Sequence, residues 1–341
     1  MKVTIYDVAK KAGVSTATVS KVINSRGKIS EKTKEKIVQI MKDLNYEPNM
    51  SAAALTVKKS YTIGLTMPNL ANPFFAEIAR KIEDRAHEVG YNVFVCNTDN
   101  NKEKEAEYVS LLRRHSVDGI IIASAFKNTS ILNQLFEWKV PVALIAQDIS
   151  SVSVNTVTVN DLKGGYQATN YLLGLNHTKV AIIGEDLRSS IDRIKGYRLA
   201  HEDAGIACNE TFIRYGHSNI EWAREQTRVL LDLKERPTAI FACNELLAMG
   251  VMQVAQERNI RIPEELSIIG FDNTILATGS VPTLTTMAQP FDEMGKQVVD
   301  LLVQEIKGSA SPTKTYMFDP ELIIRNSTCE WMEKSDKRLD L

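Results

Sequence analysis

The chain has 341 residues, 44% of them apolar and 24% charged, with only 17 Gly and 10 Pro. That length predicts two or three domains with ample chain for a core, and the composition excludes disordered, collagen-like and disulfide-dense classes. No run approaches the ~18 apolar residues of a spanning helix, and the start Met1-Lys2-Val3-Thr4 has no apolar leader. With Cys96, Cys208, Cys243 and Cys329 far apart, the expectation is a reduced cytoplasmic protein without a membrane partner.

The net charge of −1 hides an asymmetry. Residues 1–60 hold 12 Lys/Arg against 5 Asp/Glu, a net +7, which leaves −8 for the remainder. A basic head on an acidic body points to a polyanion partner for the head alone.

The first helix is expected from Thr4, with Asp7 at N3 as an acidic capping box and Ile5, Val8, Ala9 and Ala12 on one face. Gly13 stops it, and Ser15 caps a second helix. There Val14 and Val19 form a hydrophobic staple, and Val19, Val22 and Ile23 make the buried stripe. Gly27 ends this element, and Ser30 caps a third helix that buries Ile37, Ile40, Met41 and Leu44. Two short helices joined through a glycine turn form a helix-turn-helix, whose second helix enters the major groove. Thr16, Ala17, Ser20, Lys21 and Asn24 would face outward, short polar groups and one cation able to reach bases and phosphates. The competing reading is a three-helix interaction module, which the charge disfavours.

Thr4-Ile5-Tyr6-Asp7-Val8-Ala9 and Gly13-Val14-Ser15-Thr16-Ala17-Thr18-Val19-Ser20-Lys21-Val22-Ile23-Asn24 resemble, without gaps, the headpiece of the LacI/GalR family of bacterial transcriptional regulators. The resemblance implies a DNA-binding headpiece over 1–47, with Thr4, Tyr6 and Ser15 joining the DNA-facing set and Thr16 and Ala17 setting operator preference. Many relatives carry Arg at Lys21, and Lys cannot offer the rigid bidentate fork to guanine. Residues 48–60 hold the Ala-rich Asn49–Thr56 stretch, too short to be a stable isolated helix. The resemblance implies a hinge helix there that orders on DNA, paired with its twin, with Leu55 wedged in the minor groove.

From residue 61, apolar strand runs alternate with helices. Strands are expected at 62–67, 92–96, 119–123 and 140–145, then at 179–184, near 212–215, and at 238–242 and 266–271. Helices are expected between them, near 102–115, 128–138, 163–175, 191–204, 220–233 and 245–258. Runs apolar throughout are strands covered on both faces, hence parallel sheets. The fold class is an all-α helix-turn-helix headpiece plus an α/β core of two doubly wound parallel-sheet lobes, which resembles the periplasmic-binding-protein-like type I core of the same family. The match implies chain crossings near 160–162, 287–290 and 318–322. Lobe 1 would then span about 61–160 and 291–318, and lobe 2 about 161–290 and 319–330.

Ligand contacts are expected at strand ends. Phe75 follows the first strand, and is preferred over its neighbour Phe74; Asn244 follows Cys243; Asp272 follows Phe271. Arg193 matches the family's usual effector-binding arginine, and Gln147 and Gln289 sit at matching cleft positions by the resemblance. A guanidinium, a carboxylate and planar amides around an aromatic suit a sugar, and would serve a nucleobase or phosphorylated metabolite nearly as well. For Arg193 and Asp272 the competing reading is an ion pair or helix cap.

An enzyme is disfavoured: there is no Gly-x-Gly-x-x-Gly after a strand, no P-loop, no Gly-x-Ser-x-Gly and no His-Glu-x-x-His. The five histidines are scattered, so neither a metal nor a cofactor is expected. A transport receptor would need an export signal and would lack the basic head. The reading is therefore a dimeric DNA-binding regulator, a repressor at a palindromic operator, switched by a small-molecule effector. The alternative is control by a docked phosphocarrier protein. With no sustained heptads in the tail, a homodimer is expected rather than a coiled-coil tetramer.

Overall fold

The computed structural model describes residues 3–23, 27, 29–46, 59–123, 129–146, 153–309 and 312–332. The chain divides into two units, residues 1–60 and 61–341.

In the first unit, helices α1 (Ile5–Ala12), α2 (Thr16–Ile23) and α3 (Glu31–Asp43) close around Val8, Ala9, Ala12, Val19, Val22, Ile37 and Ile40. Asp7 accepts from both the Thr4 N–H at 2.8 Å and the Thr4 hydroxyl at 2.7 Å, which fixes the entry to α1. Those bonds hold the exposed Asp7 carboxyl below the usual range. Gly13 ends α1 at φ 70°, a left-handed conformation that costs glycine nothing, and Val14 N–H bonds back to Ala9 C=O. Ser15 then takes the Thr18 N–H at 3.2 Å, and Ser30 takes the Thr33 N–H at 3.3 Å. The short reversal between α1 and α2 follows from these local bonds.

The second unit carries, among the described residues, two six-stranded sheets. The first is built from β1 (Thr62–Met67), β2 (Asn92–Asn97), β3 (Gly119–Ile122), β4 (Val142–Ile145), β5 (Asn155–Val159) and β11 (Thr315–Phe318). The second holds β6 (Val180–Glu185), β7 (Ile213–Gly216), β8 (Ala239–Ala242), β9 (Ser267–Asp272), β10 (Thr285–Ala288) and β12 (Glu321–Ile323). Their orders, β11-β5-β4-β3-β1-β2 and β12-β10-β9-β8-β6-β7, are the same winding used twice. β3, β4, β6, β8 and β9 are buried along their whole length, as strands with helices on both faces must be. One strand departs from the all-parallel expectation. β12 runs antiparallel to β10, with Met287 opposite Leu322, because only two residues separate it from β11 in the other sheet.

The helices that matter for the site are α4 (Pro73–Glu88), α5 (Lys102–Arg114), α6 (Thr129–Glu137), α7 (Asp161–Gly174), α8 (Arg188–Asp203), α9 (Ile220–Leu231), α10 (Glu245–Glu257), α11 (Ile275–Gly279) and α12 (Phe291–Ile306). The chain passes between sheets at 159–161, 288–291 and 318–321. The first and third passages are tied: Asn160 N–H donates to Phe318 C=O at 2.8 Å, and Lys163 meets Asp319 at 2.5 Å. α7 and α8 cross with their backbones in contact. A Cβ on Gly165 would lie 2.1 Å from the Arg193 carbonyl oxygen, and one on Gly196 2.1 Å from that of Leu162. Among the described residues, no helix is long and apolar enough to cross a membrane.

Candidate functional site

On the headpiece, α2 leaves Ala17 and Lys21 exposed and Thr16 and Ser20 half-buried, while Ser15 is exposed ahead of it. Tyr6 on α1 is 72% exposed, a large aromatic kept off the core. Thr4 is exposed, but its one hydroxyl proton is spent on Asp7. Asn24 and Leu55 lie outside the described residues, as does the expected hinge helix.

In the core, the order of the second sheet reverses between β6 and β8, and polar side chains converge at the carboxyl ends of these strands. Arg193, 5% exposed, donates from Nε to Asp161 Oδ1 at 2.8 Å, and Nη2 meets the same oxygen at 2.7 Å. Its Nη1 donates to the Cys243 carbonyl, and the guanidinium lies 3.5 Å over the Phe271 ring. Burial works against this charge, but Asp161 and Asp272 hold the group above its ordinary pKa. Burial raises the Asp161 carboxyl despite the arginine beside it.

Asp272 is buried, and its Oδ1 accepts from Gln289 Nε2 at 2.7 Å. Burial pushes this carboxyl well above the usual range, against the pull of Arg193 and with the push of Glu245 and Glu185. Its backbone sits at φ 116° and Asn273 at φ 66°, conformations that side-chain-bearing residues rarely adopt. Glu245 holds that turn, accepting from Asn273 N–H at 2.8 Å, Thr274 N–H at 2.9 Å and the Thr286 hydroxyl at 3.0 Å. Its own carboxyl is raised by burial, opposed by these bonds.

Asn244 is buried beside this group, yet both ends of its amide are engaged. Its oxygen caps α10 by accepting the Leu247 N–H at 2.8 Å, and its nitrogen donates to Glu185 and, at 3.3 Å, to Ser218. Phe75 is half-buried on the first lobe and meets Phe74 edge-to-face at 5.0 Å; Phe74 also contacts Phe291 at 5.6 Å. Among the described residues, Phe75 makes no ring contact with the Arg193 group, whose guanidinium lies over Phe271 instead. Gln147 lies outside the described residues. Of the expected cleft residues the structure thus gathers Arg193, Asn244, Asp272 and Gln289.

It adds Asp161, Glu185 and Glu245, which the sequence reading passed over. For Asp161 and Glu185 the reason is a shift in element boundaries: α7 begins at 161 instead of 163, and β6 ends on Glu185 instead of Gly184. These shifts move an acid onto a helix's first turn and a strand end, where the switch-point rule could have flagged it. Glu245 stands at the expected start of its helix, and its role comes from distant partners, Asn273, Thr274 and Thr286. Trp222 is half-buried beneath Gly216, where a Cβ would lie 2.8 Å from its ring, and His217 is exposed. No cluster of metal-binding side chains occurs among the described residues.

Comparison with known proteins agrees with both units. Residues 4–49 match the bacterial regulatory proteins of the lacI family, and residues 169–328 match the periplasmic binding protein-like domain. The chain is 43% identical over 333 residues to the HTH-type transcriptional regulator DegA of Bacillus subtilis, covering 96% of this chain and 98% of that one. Its fold is similar to the lac repressor dimer bound to operator and the anti-inducer ONPF, with a TM-score of 0.86, 28% identity, and 96% and 100% of the two chains covered. A LacI family transcriptional regulator from Enterococcus faecium with bound ribose is also similar, with a TM-score of 0.73, 30% identity, and 80% and 100% covered. A basic helix-turn-helix unit ahead of a twice-wound α/β core, with full-length relatives of the same build, leads to one conclusion: this chain belongs to the LacI family of DNA-binding transcriptional regulators.

Proposed function

We propose that the protein is a repressor that binds a near-palindromic operator as a homodimer and is switched by a small polyhydroxylated effector between the lobes of its core. The observation that carries the effector reading is the buried Arg193–Asp161 and Asp272–Gln289 group at the strand ends. Such charges, with a strained backbone at Asp272, add nothing to packing, and belong where a ligand is recognised. The similar Enterococcus faecium regulator holds ribose, which supports a sugar or related metabolite.

The dimer reading draws on the lac repressor dimer and on sheet edges that carry exposed apolar side chains. Phe94 and Val95 on edge strand β2 are each 40% exposed, and Tyr215 on edge strand β7 is 61% exposed. Two headpieces would then read two half-sites in successive major grooves, with Ala17 and Lys21 as exposed contacts and Thr16, Ser20 and Ser15 beside them. Tyr6, Thr4, Asn24 and Leu55 complete the proposed DNA set, and Phe75, Gln147 and Asn244 the proposed effector set.

Selection of duplex DNA from a random pool, with and without a metabolite panel, tests this. An enriched palindrome whose recovery changes with one metabolite supports the reading. Binding that is unselective and steeply salt-dependent would reduce the head to a phosphate contact. Arg193→Ala is expected to abolish the effector response while the chain stays folded and operator-competent; a normal response in that variant removes Arg193 from the site.

A further inference from the structure

The chain enters the core through a residue whose backbone conformation a large side chain disfavours. Tyr61, the first residue of the second unit, has φ 50°, in the left-handed region where a bulky residue is an outlier. Strand β1 begins at the next residue, so the backbone turns at this boundary instead of running straight into the strand. An extended residue at 61 would continue the strand without that cost.

The turn is held from both neighbouring strands. On the β2 side, the Tyr61 C=O accepts the Asn92 N–H at 2.8 Å. On the β3 side, half-buried Asp118 grips two successive residues. Its N–H donates to the Thr62 C=O at 2.8 Å, and its carboxylate Oδ2 accepts the Tyr61 N–H at 2.8 Å. The Tyr61 ring, 44% exposed, lies tilted 5.8 Å from the buried ring of Tyr91. β1 lies between β2 and β3, and each of its residues from Ile63 onwards is buried. The clamp is therefore fastened to the close-packed centre of the first lobe.

We infer that Asp118 is a positioning residue: with Tyr61 it fixes the direction in which the chain leaves the first lobe towards the DNA-binding segment, and through that direction the half-site spacing a dimer accepts. The inference rests on the reading of a palindromic operator bound by a homodimer. Base and phosphate contacts belong to the headpiece itself, whereas the distance between half-sites depends on what holds two headpieces in place. Without the clamp each headpiece keeps its own contacts, but it is tethered by a chain free to take several directions. The effective concentration of the second headpiece at its half-site then falls, and so does the penalty for a wrong spacing.

The test uses the full chain and its Asp118→Ala, Asp118→Asn and Tyr61→Ala variants. The probes are the palindromic duplex that the wild type enriches from a random pool, the same duplex with two base pairs inserted at its centre, and a random-sequence duplex of equal length. The insertion rotates one half-site by about 70° against the other. The wild type is expected to bind the inserted duplex at least about tenfold more weakly than the palindrome. Asp118→Ala and Tyr61→Ala are expected to bind the palindrome at least about fivefold more weakly than the wild type does, and the two palindromes within about threefold of each other. Their affinity for the random-sequence duplex stays at the wild-type value. Asp118→Asn keeps an oxygen for the Tyr61 N–H and is expected to restore the wild-type discrimination. A merely structural role would instead lower the melting temperature and all three affinities together, which overturns the inference. So does an alanine variant that discriminates spacing as sharply as the wild type. Should Asp118→Ala fail to fold, Tyr61→Ala, which alters an exposed side chain, decides alone. A wild type that enriches no palindrome overturns the operator reading and this inference with it, so the two failures are distinguishable.

Discussion

Asp272 shows how a single residue trades stability for a site. Its carboxyl is buried, raised well above its ordinary pKa, and carried on a backbone at φ 116°. Among the described residues, one side-chain hydrogen bond, from Gln289, and the field of Arg193 offset that burial. Asp272→Asn removes the buried charge and keeps the shape, so it is expected to raise the melting temperature of the chain by on the order of 2 °C while the effector response falls. A melting temperature that drops would mean the carboxylate is structural.

His177 works in the opposite sense. Its ring lies 2.9 Å from the Thr238 hydroxyl and 3.0 Å from the Cys329 carbonyl, joining the last described segment to the end of α7. Burial pushes its pKa below the ordinary 6.5. The unfolded chain therefore takes up the proton first. The stability His177 contributes is full above pH 6.5 and is lost as the pH falls towards the folded-state value. Urea midpoints are expected to show the wild-type advantage over His177→Gln shrinking between pH 7 and about pH 5.5. An advantage that is constant over that window would show that folding leaves the ring's pKa unchanged.

At the scale of elements, the α7–α8 crossing sets the reach of the site. Because Gly196 lies against the Leu162 carbonyl and Gly165 against that of Arg193, the two helices approach at backbone distance and Asp161 meets Arg193. Gly196→Ala would place a methyl 2.1 Å from that oxygen, so the helices must part. The expected cost is about 1–3 kcal/mol in chemical unfolding, accompanied by weaker effector binding. Stability equal to wild type would show that the crossing can slide. Element boundaries also explain what the sequence reading missed. The headpiece was legible residue by residue, because Thr4, Asp7, Gly13, Ser15 and Ser30 act through bonds spanning three to five residues. The end of β6 at Glu185 depends instead on neighbouring strands and the turn beyond it, and Glu245, at the start of α10, takes its partners Asn273, Thr274 and Thr286 from far along the chain.

At the scale of the whole molecule, the proposed switch requires cleft and operator to share one equilibrium. An effector that changes operator affinity must have its own affinity changed by the same factor, a coupling of about 1–3 kcal/mol in such systems. Leu55 tests the link at its midpoint. Leu55→Ala is expected to weaken operator binding by about tenfold or more, some 1.4 kcal/mol, while effector binding measured without DNA stays unchanged. Unaltered operator affinity would discard the proposed wedge.

By itself the sequence determined the division of labour and the fold class. The +7 head and −8 body, the caps of the three helices, and the twice-repeated run of apolar strands are all written in local chemistry and periodicity. Tertiary structure alone decided which charges meet. Asp161 and Arg193 are 32 residues apart, Glu185 and Asn244 are 59 apart, and the antiparallel course of β12 depends on strands from two sheets. Periodicity reports which face of an element is buried. It carries no information about which distant strand ends the winding brings together, and ligand chemistry is set there.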